Sequence, residues 1–292
     1  MMGMRHFLLA LQYFTRIPLP ARLAAWVGFS PAMLRAALAH LPGVGWIVGA
    51  FSALVLLLAH WLLSGADTAA AISVAVLAVA ASIMLTGAFH EDGLADVGDA
   101  LGGFVPRDRA LQIMKDSRLG SYGVITIVLA LLLRISLLAS LLRVDVALAA
   151  CALLSAQVLS RWAPLFLGQW LPYVGGKAAS GNDAAHDDAA GREELTSKAR
   201  PMMVGEGESR SLLVGSLWAL PALLLAGACL GSGTLVALLV GGGLVTWQLG
   251  LFFRRRLGGI TGDCLGSTQQ VVELGCYFIM VAGLRWVDVA RL

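Results

Sequence analysis

Charge is what this chain lacks most. Asp, Glu, Lys and Arg make up 13% of it, against about 25% in globular proteins. Residues 36–66, 68–89, 119–133, 146–160 and 211–253 contain none of the four. A soluble core does not need uncharged runs of this length, whereas about 20 apolar residues cross a bilayer. Cysteine is scarce as well: Cys151, Cys229, Cys264 and Cys276 form no CxxC pair, and three of them fall in predicted spans. That pattern excludes a disulfide framework or a zinc ribbon and suits small apolar residues. The N-terminus has only Phe7 to Leu11 as an apolar core and lacks a small-residue cleavage site, so it is not read as a signal peptide. With Phe7, Leu8, Leu11 and Phe14 on one helical face, it is expected to lie on the membrane surface. No internal repeat is evident.

What is present is 58% hydrophobic, with a mean hydropathy of +0.80. The fold class is therefore all-α, a polytopic transmembrane helical bundle of about seven spans forming a single integral membrane domain over residues 1–292. Dividing the tracts at turn signals predicts helices near 43–63, 70–89, 121–142, 146–168, 212–230, 233–253 and 271–290. Sorting the 21 Lys and Arg residues puts sixteen on the N-terminal side of this topology. By the positive-inside rule the N-terminus is cytoplasmic. The connections on the far side are a few residues long, so function is assigned to the cytoplasmic loops near 90–120, 171–211 and 254–270.

The first of these loops follows a charge-free run directly and reads AFHEDGLADVGDALGG, Ala88 to Gly103. If the chain stays helical, Asp92, Asp96 and Asp99 share a face, with Glu91 about 100° to one side. Ionised carboxylates on adjacent turns repel, and a divalent ion is the usual remedy. Oxygen-only ligands point to Mg²⁺ or Mn²⁺, making Glu91, Asp92, Asp96 and Asp99 the candidate metal set. Glycines 93, 98, 102 and 103 weaken a helix but let backbone or ligand approach closely. The competing structural account is a solvated acidic loop. Against it stands IMKDSRLGSYG, Ile113 to Gly123, where Lys115 and Arg118 are natural donors to phosphate oxygens and Asp116 and Ser117 are interleaved with them. GGITGDCLGSTQQVVE, Gly258 to Glu273, adds Asp263 and Glu273 on the same side. His90 is a candidate base or phosphate donor. Arg134 and Arg161 are costly in a bilayer and should face the bundle interior or its rim, Arg161 being the better candidate for substrate binding. Acids for Mg²⁺, cations for phosphates and glycines that admit a ligand are the parts of a phosphoryl-transfer site.

These segments resemble the cobalamin synthase (adenosylcobinamide-GDP ribazoletransferase) family: FHEDGLAD, MKDSRLGSYG and GGITGDCLG, with FTRIPLP and PGVGWIVG nearer the N-terminus. Asp99 is followed by Ala100 where the family's DGxGG is expected. The resemblance implies an integral enzyme of the bacterial inner membrane. It would join adenosylcobinamide-GDP to α-ribazole or its 5′-phosphate, release GMP and require Mg²⁺. Carried over, it implies Mg²⁺ on Glu91, Asp92, Asp96 and Asp99, with Lys115 and Arg118 on phosphate and Asp99 as base. It further implies Asp263 as a second metal or substrate contact; His90, Asp116, Ser117 and Arg161 are the remaining candidate substrate-binding residues. Expected partners are the two substrates and the lipid bilayer, with no nucleic acid. Gly241 to Gly243 would permit close packing within or between subunits, leaving a homo-oligomer open. Two other readings remain: a CDP-alcohol phosphotransferase, whose Ala-Arg after the second Asp is missing here, and a cation-coupled transporter.

Overall fold

A computed structural model describes residues 2–63, 67–175 and 209–289, and each apolar tract within them is helical. There are twelve helices among the described residues: α1 (Met2–Phe14), α2 (Ala21–Val27), α3 (Pro31–Leu38), α4 (Leu41–Leu63), α5 (Thr68–Thr86), α6 (Phe89–Leu101), α7 (Arg107–Ile113), α8 (Ser121–Leu142), α9 (Val146–Trp170), α10 (Ser209–Leu230), α11 (Ser232–Leu257) and α12 (Gly262–Val289). Six of them, α4, α5, α8, α9, α10 and α11, are long and apolar enough to cross a bilayer. The seventh long helix, α12, is more polar because its first half carries Asp263, Gln269, Gln270 and Glu273.

Helix α9 is the axis of the bundle, packed against α4, α10 and α12. Small residues set how close it comes to α4: a Cβ at Gly49 would stand 3.1 Å from the Leu154 Cα, and one at Gly45 would stand 2.8 Å from the Val158 Cα. Such crossings gain van der Waals contact that larger residues would block, which matters where lipid supplies no hydrophobic drive between helices. Ala75, Ala78, Ala152, Ala156 and Leu138 fill the core around them. On the far side, Asp67 and Asp145 cap α5 and α9 by accepting from the Ala70 and Leu148 N–H groups.

The structure departs from the sequence-based expectations in four places. Helix α5 stops at Thr86 rather than near 89, because Gly87 (φ 69°) and Ala88 (φ 61°) are both left-handed; the acidic motif therefore starts a new helix. The expected loop near 90–120 is largely α6 and α7. The loop near 254–270 shrinks to residues 258–261, since α11 runs on to Leu257 and α12 starts nine residues earlier than expected. The apolar face of α1 is buried against α3 and α4 through Leu9, Leu11 and Phe14 instead of resting only on lipid. Most of the loop near 171–211 lies outside the described residues.

The helix ends and connections that meet beside α6 form a compact floor. Ile260 N–H donates to Pro172 O and Val174 N–H to Ile260 O, each at 2.9 Å. Arg107 Nε donates to Leu257 O at 2.6 Å and Arg256 Nη2 to Gly103 O at 2.8 Å. Beneath them Val97, Leu101, Leu111, Phe253 and Leu257 make a small core of their own.

The α5–α6 break depends on Gly87, over which the Arg16 side chain lies. Gly87→Val should cost about 1–2 kcal/mol for the left-handed backbone alone, lowering the thermal midpoint in detergent by about 2–6 °C. Gly87→Asn, which tolerates this conformation, should lose less.

Candidate active site

Helix α6 is wedged between α8 and α12. Two glycines let it in: a Cβ at Gly93 would stand 3.0 Å from Asp263 O, and one at Gly98 would stand 2.6 Å from Thr126 Oγ1. The four carboxylates of the motif consequently meet different surroundings.

Asp99 turns to the start of α8. Its Oδ2 accepts from Gly120 N–H and its Oδ1 from Gly123 N–H, each at 2.7 Å. A side chain at either glycine would overlap the carboxylate, so the glycines of LGSYG are what admit it. An anion here also faces the positive end of the α8 dipole.

Glu91 turns inward and is buried. Its Oε1 lies 3.5 Å from Arg134 Nη1 and accepts from Gln270 Nε2 at 3.0 Å. Arg134 Nη2 forms a 2.6 Å ion pair with Glu273 Oε1 and donates to Ser82 Oγ at 2.9 Å. The two oxygens of Glu273 accept from Gln157 and Gln269, both at 2.8 Å. Arg161 Nη1 donates to Gln157 O at 2.9 Å and also to Gln157 Oε1. Two guanidinium groups and two carboxylates thus balance in one buried network reaching from α5 to α12.

Asp92 and Asp96 keep the accessible face, Asp92 exposed and Asp96 half-buried. Across the Gly93 contact stands Asp263, whose Oδ2 accepts from Thr261 Oγ1 at 3.2 Å. Thr261 caps α12 by accepting from Cys264 N–H, and its hydroxyl lies 3.7 Å from Met114 Sδ. That contact brings Lys115 to Arg118 alongside. Lys115, Ser117 and Arg118 are exposed, and Arg118 pairs with Asp116 at 2.6 Å. Burial, reinforced by Asp263, Asp92 and Asp99, raises the Asp96 carboxyl to about 7. Crowded carboxylates of this kind favour either a proton or a cation.

The three motifs read from the sequence therefore converge, but not all their residues do. Among the described residues no three His, Cys, Asp or Glu side chains converge closely enough to cage an ion by themselves. Asp92, Asp96 and Asp263 adjoin; Glu91 and Asp99 are engaged by the protein. His90 is buried under Phe14, with ring centroids 6.4 Å apart, and Arg161 is buried too. Sequence reasoning passed over Gln157, Gln269, Gln270 and Thr261. The available signal was Arg134, an arginine inside an apolar tract that demands buried acceptors.

Fold and site together define a polytopic helical membrane protein with a polar end built from carboxylates, bases and close-packed glycines. The family model described as cobalamin-5-phosphate synthase matches residues 6–281, and the chain belongs to that family. It is 43% identical over 295 residues to the adenosylcobinamide-GDP ribazoletransferase of Polaromonas sp. (strain JS666 / ATCC BAA-500), covering 96% of this chain and 97% of that one. It is 44% identical over 294 residues to the protein of the same name from Albidiferax ferrireducens, covering 96% and 98%. The corresponding figures for the Ralstonia nicotianae protein of that name are 39% over 278 residues, with 95% of each chain covered. No solved structure matches.

Removing one partner of a buried ion pair leaves an uncompensated charge. Arg134→Met should cost about 3–5 kcal/mol of stability in detergent. Arg134→Met combined with Glu91→Gln should recover part of that loss, because Glu273 and Arg161 then balance each other and the sites are coupled. Equal destabilisation of the single and double variants would count against the network.

Proposed function

We propose that this chain joins adenosylcobinamide-GDP to α-ribazole, or to its 5′-phosphate, with release of GMP. Family membership supports the reaction. Its assignment to particular residues is supported by the approach of Asp92, Asp96 and Asp263 beside the exposed Lys115–Arg118 segment. The proposed location is the bacterial inner membrane, with the N-terminus and this end of the bundle cytoplasmic. The excess of Lys and Arg in the segments at this end supports that orientation.

Mg²⁺ typically takes one or two carboxylates and completes its shell with water and substrate phosphate. An open group of two or three acids fits that habit better than a closed cage. Asp92 and Asp263 would hold the ion, which when bound supplies charge neutralisation for the diphosphate. Lys115 and Arg118, exposed on the same rim, would take up phosphate charge; Arg118 would exchange Asp116 for substrate oxygens.

A ribose hydroxyl of the ribazole attacks the phosphorus on the cobinamide side, the bond from that phosphorus to the bridging oxygen breaks, and GMP departs with that oxygen. Asp96 accepts the hydroxyl proton. A carboxyl raised to about 7 is a better proton acceptor than an ordinary carboxylate and is still ionised in part at neutral pH. Asp99 is unsuited to this step, since both its oxygens already accept backbone N–H groups.

The test is GMP release by liposome-embedded protein given both substrates and Mg²⁺. Asp92→Asn and Asp96→Asn should each lower kcat/KM by about 10²-fold or more. Asp99→Asn should chiefly cost stability, about 0.5–2 kcal/mol as for a lost helix cap. Because the Asp96 carboxyl is raised, it is protonated and inactive as a base at low pH. Activity should therefore climb with an acidic limb at or below about 7, and Mg²⁺ on its neighbours would move that limb down. A limb unchanged in residual Asp96→Asn activity, or no turnover by folded protein, would refute the assignment.

A further inference from the structure

The bundle is not filled where the α10–α11 hairpin meets α9 and α12. A cavity of about 490 Å³ runs there along the last three turns of α9, with Trp162, Trp170, Leu223 and Trp247 on its walls and Gly242 and Gly243 on its α11 side. The volume falls in the range of ligand sites, about 300–1,000 Å³. It exists because α11 presents bare backbone: a Cβ at either glycine would meet nothing within 4 Å. It also lies beside the two spans least covered by the rest of the protein. In the membrane-crossing windows only 22% of α10 and 17% of α11 are buried, against 56% of α4 and 67% of α9.

Water does not suit this space. At about 30 Å³ per molecule it would take roughly sixteen waters, each needing two to four polar partners. The polar side-chain atoms on the walls are few. The Thr246 hydroxyl already donates to Gly242 O at 2.7 Å, and the buried Trp162 Nε1 has no partner. The cavity is also continuous with surface that faces lipid, since Phe166, Trp170, Leu239 and Trp247 are all among the exposed apolar side chains. Two turns beyond Trp247, at the site end of α11, Arg254 and Arg255 are exposed. Basic residues at a helix terminus near a bilayer surface attract anionic headgroups.

We propose that this groove binds one acyl chain of an anionic phospholipid from the leaflet at the site end, with its headgroup at Arg254 and Arg255. The chain wedges the α10–α11 hairpin against α9. Leu167 belongs both to the groove wall and to the small core beneath the site, so the lipid would steady the floor on which α6 rests. This inference depends on the membrane-spanning fold and not on the proposed reaction.

The test uses full-length protein in liposomes containing phosphatidylglycerol or phosphatidylcholine with a photoactivatable acyl chain, adducts being mapped by mass spectrometry. Adducts should concentrate on Trp162, Phe166, Leu238 and Trp247, severalfold more with phosphatidylglycerol. Gly243→Leu should reduce them severalfold while leaving adducts on the lipid-facing Leu129 and Leu132 of α8 unchanged. Leucine is a better helix former than glycine, so the substitution fills the groove without weakening α11; Gly242→Leu is the second variant. Arg254→Gln with Arg255→Gln should abolish the headgroup preference and leave acyl labelling. Groove labelling no higher than that of α8, or unaffected by either leucine, would overturn the proposal. So would cross-linking of these residues to a second copy or to residues 176–208.

Discussion

Burying a guanidinium inside a membrane-spanning bundle carries a desolvation penalty of several kcal/mol, and the group stays charged only where acceptors surround it. Arg134 meets that condition through Glu273 at 2.6 Å, Glu91 at 3.5 Å and Ser82 at 2.9 Å. Those partners come from α12, α6 and α5, and Gln157 ties α9 to the same carboxylate. Five helices are thereby committed to one relative placement, because a shift of any of them would strand a buried charge. The acidic helix is placed by this constraint before any substrate is involved.

Helix α6 is pinned at both ends by its own acids. Near its start Glu91 answers Arg134, and near its end Asp99 caps α8. The motif is therefore dense in carboxylates for two separate reasons. Two of the four hold the helix in register, and the two between them are left on the accessible face next to Asp263. Mutual repulsion among Asp92, Asp96 and Asp263 is tolerated because α6, which carries the first two, cannot move away from α12, which carries the third. Preorganisation of this sort suits phosphoryl transfer, where positioning and charge neutralisation account for most of the catalysis.

Much of this was legible in the sequence. The spans were, because charge-free tracts of fifteen to forty-three residues have few other uses, and the three motifs were, because their residue types are rare in such a chain. The roles within the motifs were not. Glu91 finds its amide partner 179 residues away, and Asp99 finds its donors in glycines 21 and 24 residues on. Periodicity puts Asp92, Asp96 and Asp99 on one face but cannot say that α8 occupies one edge of it. The start of α12 was missed because glycines and glutamines dilute its apolar pattern. In hindsight Gly266 and Gln270, spaced by four, mark the face that meets α6, and Glu273, three residues on, continues it to Arg134. Arg134 was seen to need the interior, while its partners were beyond the reach of local pattern.

The central claim is that the motif's acids divide into two that hold the helix and two that face the ligand. It is tested most directly by supplying Mn²⁺ and locating the ion by anomalous scattering in crystals of the protein with a non-reactive diphosphate substrate analogue. The expected result is Mn²⁺ within about 2.2 Å of oxygens from Asp92 and Asp263, with Glu91 still on Arg134 and Asp99 still on the α8 terminus. An ion ligated by Glu91 or Asp99 would contradict the division and return all four carboxylates to a single metal set.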